Sequence, residues 1–186
     1  AAADATTSIG IGSRVVCVDY HHPVVLAKEL ATIDLLSDGR LEAGFGAGWV
    51  ASEYAAMGIP MDRPGVRIDR MIEVVEMSRR FFAGDDLDLD GKHVTARDMQ
   101  AVPMSPQEGG PKIMIGGGSP RVLRVAGRLG DIVSLNFDNS AGKIGDHGIG
   151  SGTADGTVQK LEWIREGAGD RFEELEIEIG AYFTTV

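Results

Sequence analysis

The sequence has 186 residues, of which 43% are hydrophobic, and a formal net charge of −10 at pH 7. This length is enough for one well-buried domain, and the acidic balance argues against a protein that binds nucleic acid through clustered lysine and arginine. A single cysteine, Cys17, excludes an intrachain disulfide framework and a cysteine-rich zinc site. No apolar run reaches membrane-spanning length and no signal peptide opens the chain, so a cytoplasmic location is expected.

The chain opens with a predicted strand, helix and strand. Residues 8–18 are rich in isoleucine and valine and alternate with glycine at the start, which is typical of a strand. Pro23 suits the first turn of a helix, which the pattern predicts to end near Leu36, before Gly39. Residues 40–45 alternate again and form the next strand, so this unit is typical of a parallel sheet. We expect apolar residues of the helix to be buried and charged residues to face water, namely Leu26, Leu30 and Ile33 against Lys28, Glu29 and Asp34.

In the middle of the chain, the sequence predicts a helical turn, a long helix and a hairpin. The turn lies near Glu53, and residues 66–82 carry apolar side chains at helical spacing. An Asp-Gly pair predicts a two-residue type I′ turn within a small hairpin over residues 86–95. Residues 96–110, which contain two prolines, are predicted as a loop.

The second half continues the alternation of strands and helices. Its elements are predicted as a strand over 112–115, a helix over 120–129, a strand over 131–137, a loop over 138–157, a helix over 158–167 and a strand over 176–186. The pattern predicts an α/β protein with one domain over residues 1–186, from which the hairpin is a small excursion. A doubly wound sheet and an incomplete barrel fit this order equally well.

Two glycine-rich segments follow predicted strands. Gly46, Ala47 and Gly48 leave a bare backbone on which a flat ring or a phosphate could lie, although a small-residue turn is favoured on this stretch alone. Residues 116–121 combine three glycines with a serine, a proline that can begin a helix, and an arginine. Because backbone N–H groups at a helix amino terminus bind phosphate, a phosphate site is favoured here over a tight turn. The spacing matches neither a Walker loop nor a dinucleotide fingerprint.

Few other residues predict a site. The four histidines are either adjacent or isolated, so no metal site is expected. Asp19 and Glu53 follow strand ends, where site residues gather in parallel sheets, but solvation at the surface is the favoured interpretation for both. Trp49 is a candidate wall for a ring-shaped ligand, and packing in the core is an equally good interpretation.

Two longer stretches carry a family resemblance. Residues 22–34 and 37–49, which read HPVVLAKELATID and SDGRLEAGFGAGW, closely resemble the luciferase-like monooxygenase superfamily. Within that superfamily they look most like the branch that uses the deazaflavin coenzyme F420. Later blocks agree in order and spacing, namely residues 67–82, 92–93, 111–121 and 127–131.

The resemblance implies a (β/α)8 barrel of the bacterial-luciferase type with an insertion. This chain would be a partial barrel that begins near the third strand and ends at about the seventh. A homodimer is expected, because the family is often dimeric. Nucleic acid and membrane are not expected as partners, and no metal is implied.

The resemblance also implies site residues. Ser13 and Arg14 correspond to a strand bulge at which the family often has a non-proline cis peptide bond that bows the deazaflavin ring. The implied contacts are Ala47, Gly48 and Ser52 for the cofactor ring and tail, and Gly116, Gly117, Gly118 and Ser119 for its phosphate. Trp49 stands where the branch that oxidises sugar phosphates has a proton-donating glutamate. This difference argues against a sugar phosphate and implies a more apolar substrate pocket.

The chemistry implied is hydride transfer between F420 and a small organic substrate, by dehydrogenation or reduction. The cofactor would supply the reactivity and the protein would supply orientation and proton control. Two alternatives stay open. One is an FMN-dependent luciferase-like monooxygenase, and the other is a non-catalytic flavin-binding or structural member of the family. The sequence predicts no particular catalytic residue.

Overall fold

The structure, a computed structural model, describes residues 1–142 and 146–180. Its strands are β1 (Ile11–Gly12), β2 (Val16–Cys17), β3 (Leu41–Gly46), β4 (Leu87–Asp90), β5 (Thr95–Met99), β6 (Lys112–Gly117), β7 (Ile132–Leu135) and β8 (Glu176–Ile179). Its helices are α1 (Ala2–Ala5), α2 (Pro23–Leu36), α3 (Ala51–Met57), α4 (Pro64–Phe82), α5 (Pro120–Leu129), α6 (Asp146–Gly150) and α7 (Ala154–Ala168), with 3-10 turns at Val18–Tyr20 and Gly169–Glu174. Two compact units are present: the first unit is Ala1–Gly48 with Asp62–Ile113, and the second unit is Trp49–Met61 with the described residues from Met114 onward.

In the first unit, β1 and β2 pair with β3 in parallel. The predicted single strand over residues 8–18 is wrong, because an irregular stretch separates two short strands. Gly12 pairs with Glu42 and Val16 pairs with Phe45, so residues 13–15 face only residues 43–44. Three residues against two is a β-bulge, which bends the strand and interrupts its pairing.

Helix α2 has the predicted bounds, but its buried side differs. Leu26 and Leu30 are buried as expected, whereas Ile33 is 40% exposed. Asp34, expected to face water, is fully buried. Its carboxylate accepts hydrogen bonds from the Leu41 amide (3.2 Å), the Gln107 side-chain amide (2.8 Å) and the Ser105 hydroxyl. Three donors offset the desolvation of the carboxylate, and Asp34 thereby ties α2 to β3 and to the loop before β6.

Helix α4 begins two residues before its predicted start, because Pro64 suits the first turn. The predicted hairpin is present as β4 and β5, but its two-residue type I′ turn is wrong. Asp90 pairs with Thr95, which leaves the four residues 91–94 as the connection. The Glu73 carboxylate on α4 accepts hydrogen bonds from the His93 and Val94 amides (2.7 and 2.9 Å) and shapes this loop. Residues 96–99, predicted as loop, belong to β5.

In the second unit, β7 pairs in parallel with both β6 and β8. Helix α5 has its predicted bounds. The loop predicted over 138–157 is wrong in part, because it contains α6 and because α7 already begins at Ala154. The Thr153 hydroxyl starts α7 by accepting a hydrogen bond from the Gly156 amide (3.2 Å). Residues 143–145 of that loop, and residues 181–186 of the predicted last strand, lie outside the described residues.

Parallel strands with intervening helices confirm the predicted α/β class. Among the helices of the described residues, none combines the length and the apolar character needed to cross a membrane.

Candidate functional site

The bulge lies against the carboxyl-terminal half of β3. The Ser13 carbonyl oxygen is 2.0 Å from the place that a Cβ on Gly44 would take, and the Val15 side chain is 2.6 Å from that of Gly46. The Ser13 hydroxyl also donates to the Gly44 carbonyl (3.4 Å). The cis peptide bond of this region joins Arg14 to Val15. The structure therefore brings the predicted residues Ser13 and Arg14 to the end of β3, with the Arg14 side chain exposed.

The turn after β3 is held by an arginine of α4. Arg67 is only 5% exposed. Its Nη1 donates to the carbonyls of Ala47 (3.2 Å) and Gly48, and its Nε donates to the carbonyl of Asp62 (3.0 Å). Gly48 has φ +72°, a conformation that L residues with a Cβ rarely adopt. The predicted ring contacts Ala47 and Gly48 thus lie in a turn whose carbonyls face a buried cation.

A second arginine of α4 binds the end of β2. Arg70 Nη1 lies 2.6 Å from Asp19 Oδ1, and Arg70 Nη2 pairs with the Asp62 carboxylate. The Asp19 side chain is 2% exposed, so the interpretation of Asp19 as a solvated surface residue is wrong. Burial lowers the pKa of Arg70, but the hydrogen bonds and charges of Asp19 and Asp62 outweigh burial and raise the pKa above its ordinary value.

The glycines that precede α5 do not all lie in the predicted turn. Gly116 and Gly117 belong to β6, paired with Ser134 and Leu135, so the turn begins only at Gly118. A Cβ on Gly118 would lie 2.1 Å from the Phe137 carbonyl oxygen. The prediction that all three glycines form a turn is therefore wrong, since packing between β6 and the end of β7 requires a bare backbone here.

The amino terminus of α5 remains suited to an anion. Ser119 is its N-cap residue, and its side chain makes no capping hydrogen bond. Ser119 is partly exposed, and the Arg121 side chain in the first turn is exposed. The first N–H groups of a ten-residue helix carry the positive end of the helix dipole. This end of α5 can receive a phosphate without competing with a side-chain cap.

Trp49 and Ser52 lie in the second unit, just before and within the first turn of α3. Trp49 is partly exposed, which is compatible with both of its interpretations, and Ser52 is exposed. The Ala51 amide donates to the Gly142 carbonyl (3.4 Å), which places the loop after β7 beside this turn. Within the described ranges, no group of three His, Cys, Asp or Glu side chains could hold a metal ion.

A buried lysine anchors the segment after β7. Lys160 of α7 is 4% exposed, and its Nζ donates to the carbonyls of Asn136 (2.7 Å) and Ser151 (2.8 Å). The Ser151 hydroxyl accepts from the Asp138 amide (2.8 Å). Burial lowers the pKa of Lys160, and the nearby charge of Asp138 acts in the opposite direction.

This lowered pKa predicts a pH dependence of stability. At pH values between the lowered pKa and the ordinary value of 10.5, the unfolded chain binds more protons than the folded chain at Lys160. Stability from this group therefore rises with pH across that window. We expect the unfolding midpoint of the wild type to rise relative to that of Lys160→Met as the pH approaches 10.5. A midpoint difference that stays constant, or moves the other way, would contradict the assignment.

Sequence reasoning missed Arg67 and Lys160, although each carries a signal. Arg67 stands four residues before Met71 and seven before Val74, both fully buried, so it occupies the buried stripe of α4. Lys160 stands four residues before Ile164, which is also fully buried. A basic residue in register with an apolar stripe therefore predicts a buried cation that needs oxygen partners.

A sequence profile of the luciferase-like monooxygenases matches residues 1–147. The chain belongs to the luciferase-like monooxygenase family. Over 129 residues it is 36% identical to a Nocardia farcinica protein named F420-dependent glucose-6-phosphate dehydrogenase. The aligned region covers 68% of this chain and 38% of that protein.

Solved structures of other proteins resemble the fold of this luciferase-like chain. The coenzyme F420 dependent tetrahydromethanopterin reductase of Methanopyrus kandleri matches with a TM-score of 0.78 and 22% identity, over 96% of this chain and 51% of that one. Monooxygenase RslO1 of Streptomyces bottropensis matches with a TM-score of 0.75 and 25% identity over the same shares. The chain thus spans about half the length, or less, of these proteins. The predicted fold, part of a luciferase-type (β/α)8 barrel, is confirmed, and a doubly wound sheet is not the architecture.

Proposed function

We propose that this luciferase-like chain is part of an F420-dependent oxidoreductase that transfers a hydride between the deazaflavin and a small organic substrate. Family membership and the name of the Nocardia farcinica relative support the choice of cofactor. The structural observation that carries the proposal is the amino terminus of α5, which has no side-chain cap and lies directly after a glycine. Such a terminus suits the phosphate of a cofactor tail.

Each unit, taken by itself, offers residues that fit one part of such a cofactor. In the second unit, Ser119 and the backbone of Gly118 would hold a phosphate at α5, together with the Gly116 and Gly117 backbone before it and with the exposed cation of Arg121. In the first unit, Ser13, Arg14, Ala47 and Gly48 would contact the ring, because Gly48 has no side chain and its turn is fixed by Arg67. Ser52 would contact the cofactor tail. When bound, F420 would supply the carbon that accepts or donates the hydride.

The proposed substrate is apolar rather than a sugar phosphate. Trp49 offers an indole ring where a sugar-phosphate enzyme of this family would have a glutamate, and an indole cannot serve as the proton donor that a carboxylic acid provides. The partly exposed ring of Trp49 suits the wall of an apolar pocket. We therefore do not extend the substrate named for the Nocardia farcinica relative to this chain. The homodimer and the cytoplasmic location remain predictions.

The test is a titration of the purified protein with F420 and with FMN, followed by fluorescence quenching. Tighter binding of F420 is expected for the wild type. Ser119→Asp places an anion where the phosphate would lie and should weaken F420 binding by about tenfold or more. Ser119→Asn is the matched control, because asparagine and aspartate are equally good N-cap residues and differ in charge. A substitution at Gly117 is less informative, because its Cβ would lie 2.3 Å from the Val122 side chain.

Each result has a distinct meaning. Tighter binding of FMN would favour the monooxygenase alternative, and oxygen consumption would then be assayed. Binding of neither cofactor would favour the non-catalytic alternative and would overturn the proposal. Equal binding of F420 by Ser119→Asp and Ser119→Asn would show that the amino terminus of α5 does not bind the phosphate. The choice between F420 and FMN would then depend only on the wild-type titration.

A further inference from the structure

Arg67 of α4 is a buried cation that contacts backbone oxygens. Its guanidinium donates to the carbonyls of Ala47, Gly48 and Asp62 in the first unit. Burial of a guanidinium is unfavourable unless its N–H groups are satisfied, and here Nη1 donates to the turn after β3 while Nε donates to the residue Asp62, which precedes α4. The planar fork of arginine can reach carbonyls on both sides at fixed angles, which a flexible ammonium cannot.

These contacts fix the orientation of a peptide group. The bond between Ala47 and Gly48 is trans, so its C=O and N–H point in opposite directions. With the Ala47 carbonyl turned toward Arg67, the Gly48 N–H points away from α4. The positive φ of Gly48 is compatible with this arrangement because glycine has no Cβ.

The next turn of α4 extends the same arrangement to β2. Arg70, one helical turn after Arg67, pairs with Asp19 beyond β2 and with the Asp62 carboxylate, while the Asp62 carbonyl accepts from Arg67. Asp62 therefore joins the two arginines. The start of α4 holds the carboxyl ends of β2 and β3 together, where residues of parallel-sheet sites gather.

We propose that Arg67 is a positioning residue for cofactor binding, which acts by fixing the Ala47–Gly48 peptide with its N–H directed away from α4. This inference rests on the proposed function, because Ala47 and Gly48 are the proposed ring contacts. Arg67 itself faces the opposite side of that peptide and needs no contact with the cofactor. Loss of the guanidinium frees the peptide to rotate, and a rotated peptide presents a carbonyl oxygen instead of a donor.

The experiment measures two quantities in the purified protein, amide hydrogen exchange without cofactor and F420 affinity. Arg67→Met should speed exchange in peptides that cover residues 44–50 and weaken F420 binding by about tenfold or more. Arg67→Lys should restore part of both, because an ammonium can serve some of the carbonyls. Val75→Ala, a cavity-forming change at a buried residue of the same helix, is the control for lost stability.

The outcomes separate this inference from the proposed function. If the wild type does not bind F420, the proposed function fails, whereas faster exchange in Arg67→Met would still support the positioning of the turn. If the wild type binds F420 and Arg67→Met binds it equally well, Arg67 is not a positioning residue. Equal weakening by Val75→Ala and Arg67→Met would likewise overturn the inference, since general destabilisation would then explain the loss.

Discussion

Replacing Gly167 of α7 with alanine is expected to lower the free energy of unfolding by about 2–4 kcal/mol. An added Cβ would lie 2.0 Å from the Arg124 carbonyl oxygen and 2.6 Å from its carbonyl carbon, both backbone atoms of α5. Backbone atoms cannot rotate away as a side chain can, so the two helices would have to separate. Helix propensity alone predicts the opposite sign, a gain of about 1 kcal/mol for alanine over glycine. A decrease in the free energy of unfolding would therefore be due to the close contact between α5 and α7, and not to helix propensity.

Urea unfolding of the wild type and three variants checks this expectation. Gly150→Ala is the control, because no atom lies within 4 Å of the place that its Cβ would take. Gly127→Ala should resemble Gly167→Ala, since its Cβ would lie 2.3 Å from the Ile164 carbonyl oxygen on the facing helix. A Gly167→Ala protein as stable as Gly150→Ala would show that α5 and α7 do not pack as closely as described.

The Asp34→Ala variant is expected to lose about 3 kcal/mol or more of stability. The change removes the acceptor for the Leu41 amide, the Gln107 side-chain amide and the Ser105 hydroxyl. Each buried donor left without a partner costs about 1–3 kcal/mol. Because Asp34 is fully buried, water cannot replace the carboxylate without rearrangement.

A chemical denaturation series on the same helix tests this account. Asp34→Asn keeps the shape of the side chain and one acceptor oxygen, so its loss should be smaller than that of Asp34→Ala. Glu29→Ala removes an exposed carboxylate of α2 and should change stability by no more than about 0.5 kcal/mol. If Asp34→Ala were no more destabilising than Glu29→Ala, the buried network would not stabilise the fold.

The elements with strong local signals were predictable from the sequence. The bounds of α2 and α5 agree with prediction because a proline begins each helix and a glycine follows soon after its end. The bulge at residues 13–15 was not visible as a pattern, because its position follows from the register with β3, a neighbour about thirty residues away. The prediction of the hairpin turn was wrong for a similar reason, because Glu73 of α4 shapes the loop through hydrogen bonds to its backbone. Local sequence cannot report such distant partners.

In the candidate site, too, features with a local sequence signal were predictable and features that depend on distant partners were not. A helix amino terminus after Ser119 could be predicted from a proline and its neighbours, and it is present. Composition could not separate glycines needed for packing, such as Gly118 against the Phe137 carbonyl, from glycines needed for a ligand. Buried charges were missed because Asp19 and Asp34 were treated as solvated by default and Arg67 was not singled out. Their partners lie on other elements, and only the fold brings those together.

The contact between the bulge and β3 decides which positions can be varied in directed evolution of this protein. Any side chain at residue 44 would displace the Ser13 carbonyl, and one at residue 46 would displace the Val15 side chain. Randomising either glycine would yield mostly misfolded clones, and their loss of activity would carry no information about the substrate. The proposed contacts Trp49, which is partly exposed, and Ser52, which is exposed, are better positions to vary. A small library at those two positions, built on an unchanged bulge, would test the proposed pocket without disturbing the fold.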